Sequence, residues 1–163
     1  MKMNNFKAVF MTVSILLFGA TQVLANAKLN KQDISDFSDS LQQAVKNQDV
    51  DELMSHFSSD AKIQMNMPEY LGGTLEMALK DYKAMLAISW SISADFTYEI
   101  KDTTTSLGKS GETAILKETI LETMAIDGEV MTSTSSIQTS KIVLVSGKPK
   151  IVSIQMDVTM LGM

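Results

Sequence analysis

From Asn30 to Asn47 the apolar residues return at every third or fourth position. Ile34, Phe37, Leu41, Ala44 and Val45 make one stripe, and Asn30 stands ahead of it as an N-cap. Asp49 then opens a second, short helix with Glu52 three residues on, the spacing of a capping box, and this helix turns Leu53, Met54 and Phe57 inward. Ser58-Ser59-Asp60 ends it. The period then drops to two, with Ala61, Ile63, Met65 and Met67 on one side of a strand over residues 61–67. Pro68 and Gly72-Gly73 mark a loop, and Thr74 is placed to cap a third helix with the stripe Leu75, Ala78, Leu79, Tyr82, Met85, Leu86 and Trp90.

Beyond Trp90 the alternation is that of strands. Ile92, Ala94, Phe96, Tyr98 and Ile100 share one face, and the polar run 102–111 reads as a turn. Residues 112–126 and 129–145 make two long strands joined by Asp127-Gly128, a strong type I′ hairpin signal. Residues 146–149 turn again, and residues 150–161 close the chain with Val152, Ile154, Met156, Val158 and Met160 on one side. Three helices, one early strand and a four-stranded antiparallel meander define an α+β domain.

The first residues belong to a different kind of segment. Lys2 and Lys7 precede the apolar run 8–20, and Val23-Leu24-Ala25 or Ala25-Asn26-Ala27 offers small residues at a cleavage site. This is the layout of a secretory signal peptide. The apolar run is shorter than the ~20 residues a membrane span needs. Cleavage is expected after Ala25 or Ala27, leaving residues 28–163 as a single domain that is periplasmic or secreted, with no membrane span. The chain has no cysteine, so an exported form gains its stability from packing and not from disulfides.

Charge narrows the classes of partner. The formal net charge is −5; the leader holds two lysines and no acid, so its loss leaves −7. Every basic residue but the lone histidine is lysine, and no arginine supplies the planar fork that grips phosphate. Nucleic acid requires a basic footprint and is excluded as a partner. Gly72-Gly73 lacks the spacing and the lysine of a phosphate-binding loop.

The run Gln42 to Met65, QQAVKNQDVDELMSHFSSDAKIQM, followed by the Gly-Gly loop and an amphipathic helix, resembles the nuclear transport factor 2-like superfamily. Its most specific part is Asn47 to Asp51, with Phe57 and Asp60-Ala61 at the expected distances, and the resemblance covers Ile34 to Leu161. It implies a cone, a curved antiparallel sheet wrapped around three N-terminal helices with a pocket between them. The superfamily includes ketosteroid isomerases and polyketide cyclases beside plain binding modules, so fold does not fix function. The isomerase positions are vacant: the base would fall near Met65 or Asn66, the oxyanion tyrosine near Leu41, and the second oxyanion acid near Thr139 to Lys141.

Other groups can build a site. Asp157, with Gln155 and Thr159 beside it, and the pair Glu118 and Glu122, four apart on one strand face, are the candidate acids or bases. Acids on an antiparallel sheet more commonly face water. His56 has no partner at metal-ligand spacing. Ten methionines remain after the leader; thioethers can hold Cu(I), but they also fill irregular cores and line adaptable pockets, and no metal or cofactor is expected. Met65, Met67, Tyr70, Tyr82 and Trp90 are the expected pocket residues. The reading is an exported pocket protein, homodimeric, that binds a small apolar molecule or a partner protein without catalysis. A hydrolase, cyclase or isomerase using a pocket carboxylate and a homodimeric structural module are the alternatives.

Overall fold

The computed structural model describes residues 28–92 and 95–161; the expected signal peptide lies outside them, as does Ala94 of the second expected strand. Helix α1 spans Lys31–Lys46 and α2 spans Val50–Ser55. Strand β1 is Phe57–Asn66, and a 3-10 turn at Glu69–Leu71 leads into β2, Thr74–Ala78. Helix α3 is Leu79–Ile92, and four strands follow: β3 Asp95–Leu107, β4 Thr113–Ile126, β5 Glu129–Val145 and β6 Lys148–Met160. The strands form one curved, unclosed sheet in the order β2-β1-β6-β5-β4-β3.

Local chemistry accounts for the helix ends. The Asp33 backbone N–H donates to Asn30 Oδ1 at 3.0 Å, and the Asn30 N–H donates to Asp33 Oδ2 at 2.9 Å, a complete capping box. Such a cap contributes about 1 kcal/mol. Gln48 at φ 54° breaks the chain direction, and Asp49 Oδ1 then accepts from the Glu52 N–H at 2.9 Å to start α2. Asp127 at φ 53° and Gly128 at φ 80° form the expected primed turn between β4 and β5.

Residues 57–60, read as the end of the second helix, open β1 instead, because α2 stops at Ser55, and three further readings differ. Thr74 caps no helix: residues 74–78 pair antiparallel with β1, from Asn66↔Thr74 to Lys62↔Ala78, and the helix begins at Leu79. The Leu75/Met77 alternation fits a strand as well as a helix start, and the Gly72-Gly73 turn, closed by the Met67 N–H on the Gly73 carbonyl at 3.0 Å, folds the segment back onto β1. Strand β3 runs on through the Thr103-Thr104-Thr105 stretch, past a bulge between Ile100 and Asp102, so the turn is confined to residues 108–112. β-branched residues tolerate an exposed edge strand, which explains why a polar run stays extended. The sheet is also mixed, since β1 lies parallel to β6 while every other pair is antiparallel.

The core lies between α1 and the concave face of the sheet. Ile34, Ile63, Leu116, Ile142 and Ile151 are fully buried. Fully burying such side chains contributes about 1.5–3 kcal/mol each. His56 is part of this structure rather than of a site: its Nδ1–H donates to the Glu52 carbonyl at 2.9 Å, its Nε2 accepts from the Ser40 hydroxyl at 2.9 Å, and its ring meets Phe37 edge-on at 5.2 Å. Among the described residues, no helix is long and apolar enough to cross a membrane.

Candidate functional site

Where the core stops filling the cone, a cavity of about 190 Å³ remains. Helix α1 contributes Leu41 and Val45; α3 contributes Tyr82, Met85, Leu86, Ser89 and Trp90. The sheet supplies Met65 from β1, Phe96 and Tyr98 from β3, Glu118, Ile120, Glu122 and Met124 from β4, Ser136 and Gln138 from β5, and Met156 from β6. Each strand presents alternate residues to this side, as the pleat requires. The wall is therefore mainly aliphatic, thioether and aromatic, with a few polar groups set into it.

Of the expected pocket residues, Met65, Tyr82 and Trp90 stand on the wall. Met67 and Tyr70 do not. The turn after β1 carries them away from the cone, and Tyr70 is 76 % exposed. Asp157 is likewise remote: it sits exposed beyond the wall, where the Asn66 side-chain amide donates to it at 2.6 Å. Glu118 and Glu122 face inward, against the ordinary expectation for acids on a sheet. They fall in phase with Ala114, Leu116, Ile120 and Met124 on β4, a signal in the sequence that marks the inward face and that the preference of acids for water outweighed.

The two carboxyls do not form a close dyad. Four residues apart on one strand, their backbones lie about 13 Å from each other at ~3.3 Å per residue. Glu118 is 3 % exposed, and the Ser38 hydroxyl on α1 donates to its Oε1 at 2.7 Å. Burial raises its pKa above the ordinary carboxylate value, and the Ser38 hydrogen bond opposes that shift. Burial raises the Glu122 pKa as well, and no hydrogen bond opposes it. Glu122 pairs across the sheet with Tyr98. Burial and the charge of Glu122 raise the Tyr82 phenol; burial and the charges of Glu118 and Glu122 raise that of Tyr98.

The aromatic part of the wall falls into two groups. Trp90 packs on Phe96 at 6.3 Å, Phe96 on Tyr98 at 6.5 Å, and Tyr82 on Phe57 at 6.1 Å, all tilted. The positions at which the isomerase resemblance places catalytic groups carry none. Leu41 and Met65 are apolar wall residues; Ser140 is fully buried with no hydrogen-bond partner for its hydroxyl among the described residues; Thr139 and Lys141 lie on a groove outside the cone.

The chain has the nuclear transport factor 2-like fold. It is similar to a nuclear transport factor 2-like protein of unknown function from Pseudomonas putida KT2440 (TM-score 0.62, 11 % identity, 77 % of this chain and 84 % of that one). It is similar to a candidate scytalone dehydratase from Novosphingobium aromaticivorans (0.64, 14 %, 79 % and 83 %) and to the CaMKII hub of S. rosetta (0.60, 19 %, 78 % and 95 %). No protein-family model matches the sequence, and no curated protein matches it significantly. At these identities the likeness is one of fold, and proteins of this fold include enzymes and proteins of unknown function.

Proposed function

We propose that this protein is an exported pocket protein that binds a small, mainly apolar molecule inside the cone. The observation that carries this reading is the cavity itself. An apolar cavity of about 150 Å³ accepts benzene, and here 190 Å³ is bounded by methionine and aromatic side chains with a few polar groups to orient an occupant. Trp90 is the chain's single tryptophan and stands on the wall, so its fluorescence reports occupancy. Titration with small aromatic molecules should change that emission saturably, and Ser136→Phe, which puts a ring into the cavity, should abolish the change. Emission unaffected by any such molecule would remove the reading. Export is tested separately, by intact mass: the mature chain should begin at Asn26 or Lys28.

One observation favours a second reading, catalysis by acid or base transfer. Glu118 and Glu122 are carboxyls in a low-dielectric cavity, with pKa values moved toward the working range of such groups. Turnover that disappears in Glu122→Gln while the substrate still binds would favour it over plain binding. Homodimerisation through the convex face of the sheet is compatible with either; Ile115 and Ile137 lie exposed there. Light scattering on Ile137→Lys tests it, with a shift to monomer expected.

A further inference from the structure

The cavity holds two carboxyls and no basic group. Among the described residues of its wall there is no lysine, arginine or histidine. Burying a carboxylate without a counter-charge is costly, and the two acids meet that cost differently. Glu118 receives the Ser38 hydroxyl. Glu122 has no hydrogen-bond partner among the described residues; in register it stands between Tyr98 of β3 and Thr134 of β5, and Tyr82 from α3 and Phe96, across from Met124 two residues on, line the same cavity. Tyr82 and Ser136, each only 8 % exposed, also line the cavity, and their hydroxyls have no hydrogen-bond partner among the described residues.

We propose that the wall around Glu122 seats a small organic cation, an ammonium group on a body of about one ring and two or three further heavy atoms. The proposal deepens the pocket reading and rests on it. The size follows from the volume, since a cavity of about 150 Å³ already holds a six-membered ring. The charge follows from the lining. An ammonium donates to the Glu122 carboxylate, supplies the positive charge the wall lacks, and meets the faces of Tyr82, Tyr98 and Trp90, which attract cations. The free hydroxyl oxygens of Tyr82 and Ser136 accept any further N–H. A neutral ligand leaves the carboxylate uncompensated, and an anion adds to the negative charge.

Three probes of similar size test this on the purified protein near pH 8, by calorimetry and Trp90 fluorescence: benzylammonium, benzyl alcohol and benzoate. Benzylammonium should bind about tenfold or more tighter than benzyl alcohol, with benzoate weakest. Glu122→Gln should bring the ratio of benzylammonium to benzyl alcohol affinity to about one, with circular dichroism confirming the fold. Glu118→Gln, farther along the strand, should change the ratio by less than about threefold. Benzyl alcohol binding as tightly as benzylammonium would overturn the cation seat and leave the pocket reading standing. An advantage erased by Glu118→Gln and kept in Glu122→Gln would overturn the assignment to Glu122. Absence of binding by all three at millimolar concentration would overturn seat and pocket together.

Discussion

Two stretches of the same strand face, six residues apart, are built to different ends. Around Glu118 the inward face is tightly buried: Leu116 is fully buried beside it, and the carboxyl, itself on the cavity wall, is tied to α1 through Ser38. Around Glu122 and Met124 the residues are half-buried, the carboxyl has no hydrogen-bond partner among the described residues, and Tyr98 and Phe96 stand opposite on β3 beside the cavity. The residue types alternate alike in both stretches. What differs is whether a helix side chain reaches down to complete the polar group. A completed carboxyl holds α1 to the sheet; an uncompleted one is available to something that enters.

Truncations at the two ends should separate them most clearly. Leu116→Ala removes packed core and should cost about 2–5 kcal/mol, whereas Met124→Ala enlarges a space that already exists and should cost less than half as much. Urea unfolding midpoints check both. Equal losses would mean that the cavity end is as tightly packed as the core.

A smaller effect is expected from Ser38→Ala. It removes a hydrogen bond to a charged group, worth about 1.5–3 kcal/mol, at pH values where Glu118 is ionised. Because Ser38 favours the ionised form, the loss should shrink as the pH falls through the raised folded-state pKa of Glu118. A loss independent of pH would show that the hydroxyl acts by packing alone.

The least effect belongs to Glu122→Gln. Burial raises the Glu122 pKa in the folded state above its unfolded value. The folded state therefore holds the proton more tightly, and this contribution is fully present below the unfolded pKa and is lost as the pH rises through the folded one. The variant should melt higher than the parent near pH 8 and lose that advantage near pH 4. A melting difference that does not change with pH would indicate that Glu122 is as well solvated folded as unfolded.

Much of this architecture could be read from the chain because it depends on neighbours in sequence. The Asn30 and Asp49 caps, the α1 stripe and the Asp127-Gly128 turn are all set within a few residues of themselves. The phase of β4 was equally local, yet the preference of acids for water pointed Glu118 and Glu122 outward. The fold overrides that preference where α1 and α3 cover the sheet. Met67 and Tyr70 were misplaced for the converse reason: the hairpin into β2 follows the Gly72-Gly73 turn, and the residues 74–78 fit two periods at once. The β1–β6 pairing joins residues 57–66 to 151–157, and nothing local in either strand specifies the partner.

That pairing has a kinetic side. Strand β6 sits in the interior of the sheet, between β1 and β5, although it is the last strand of the described chain. During synthesis the β1–β2 hairpin has no sheet to join until β6 has emerged. Contacts of such long sequence separation slow folding, because loop-closure entropy is lost before the pairing compensates for it. A chain stopped before Lys148 therefore leaves the β1–β2 hairpin detached from β3–β5, and the cavity does not exist until the final strand closes between them.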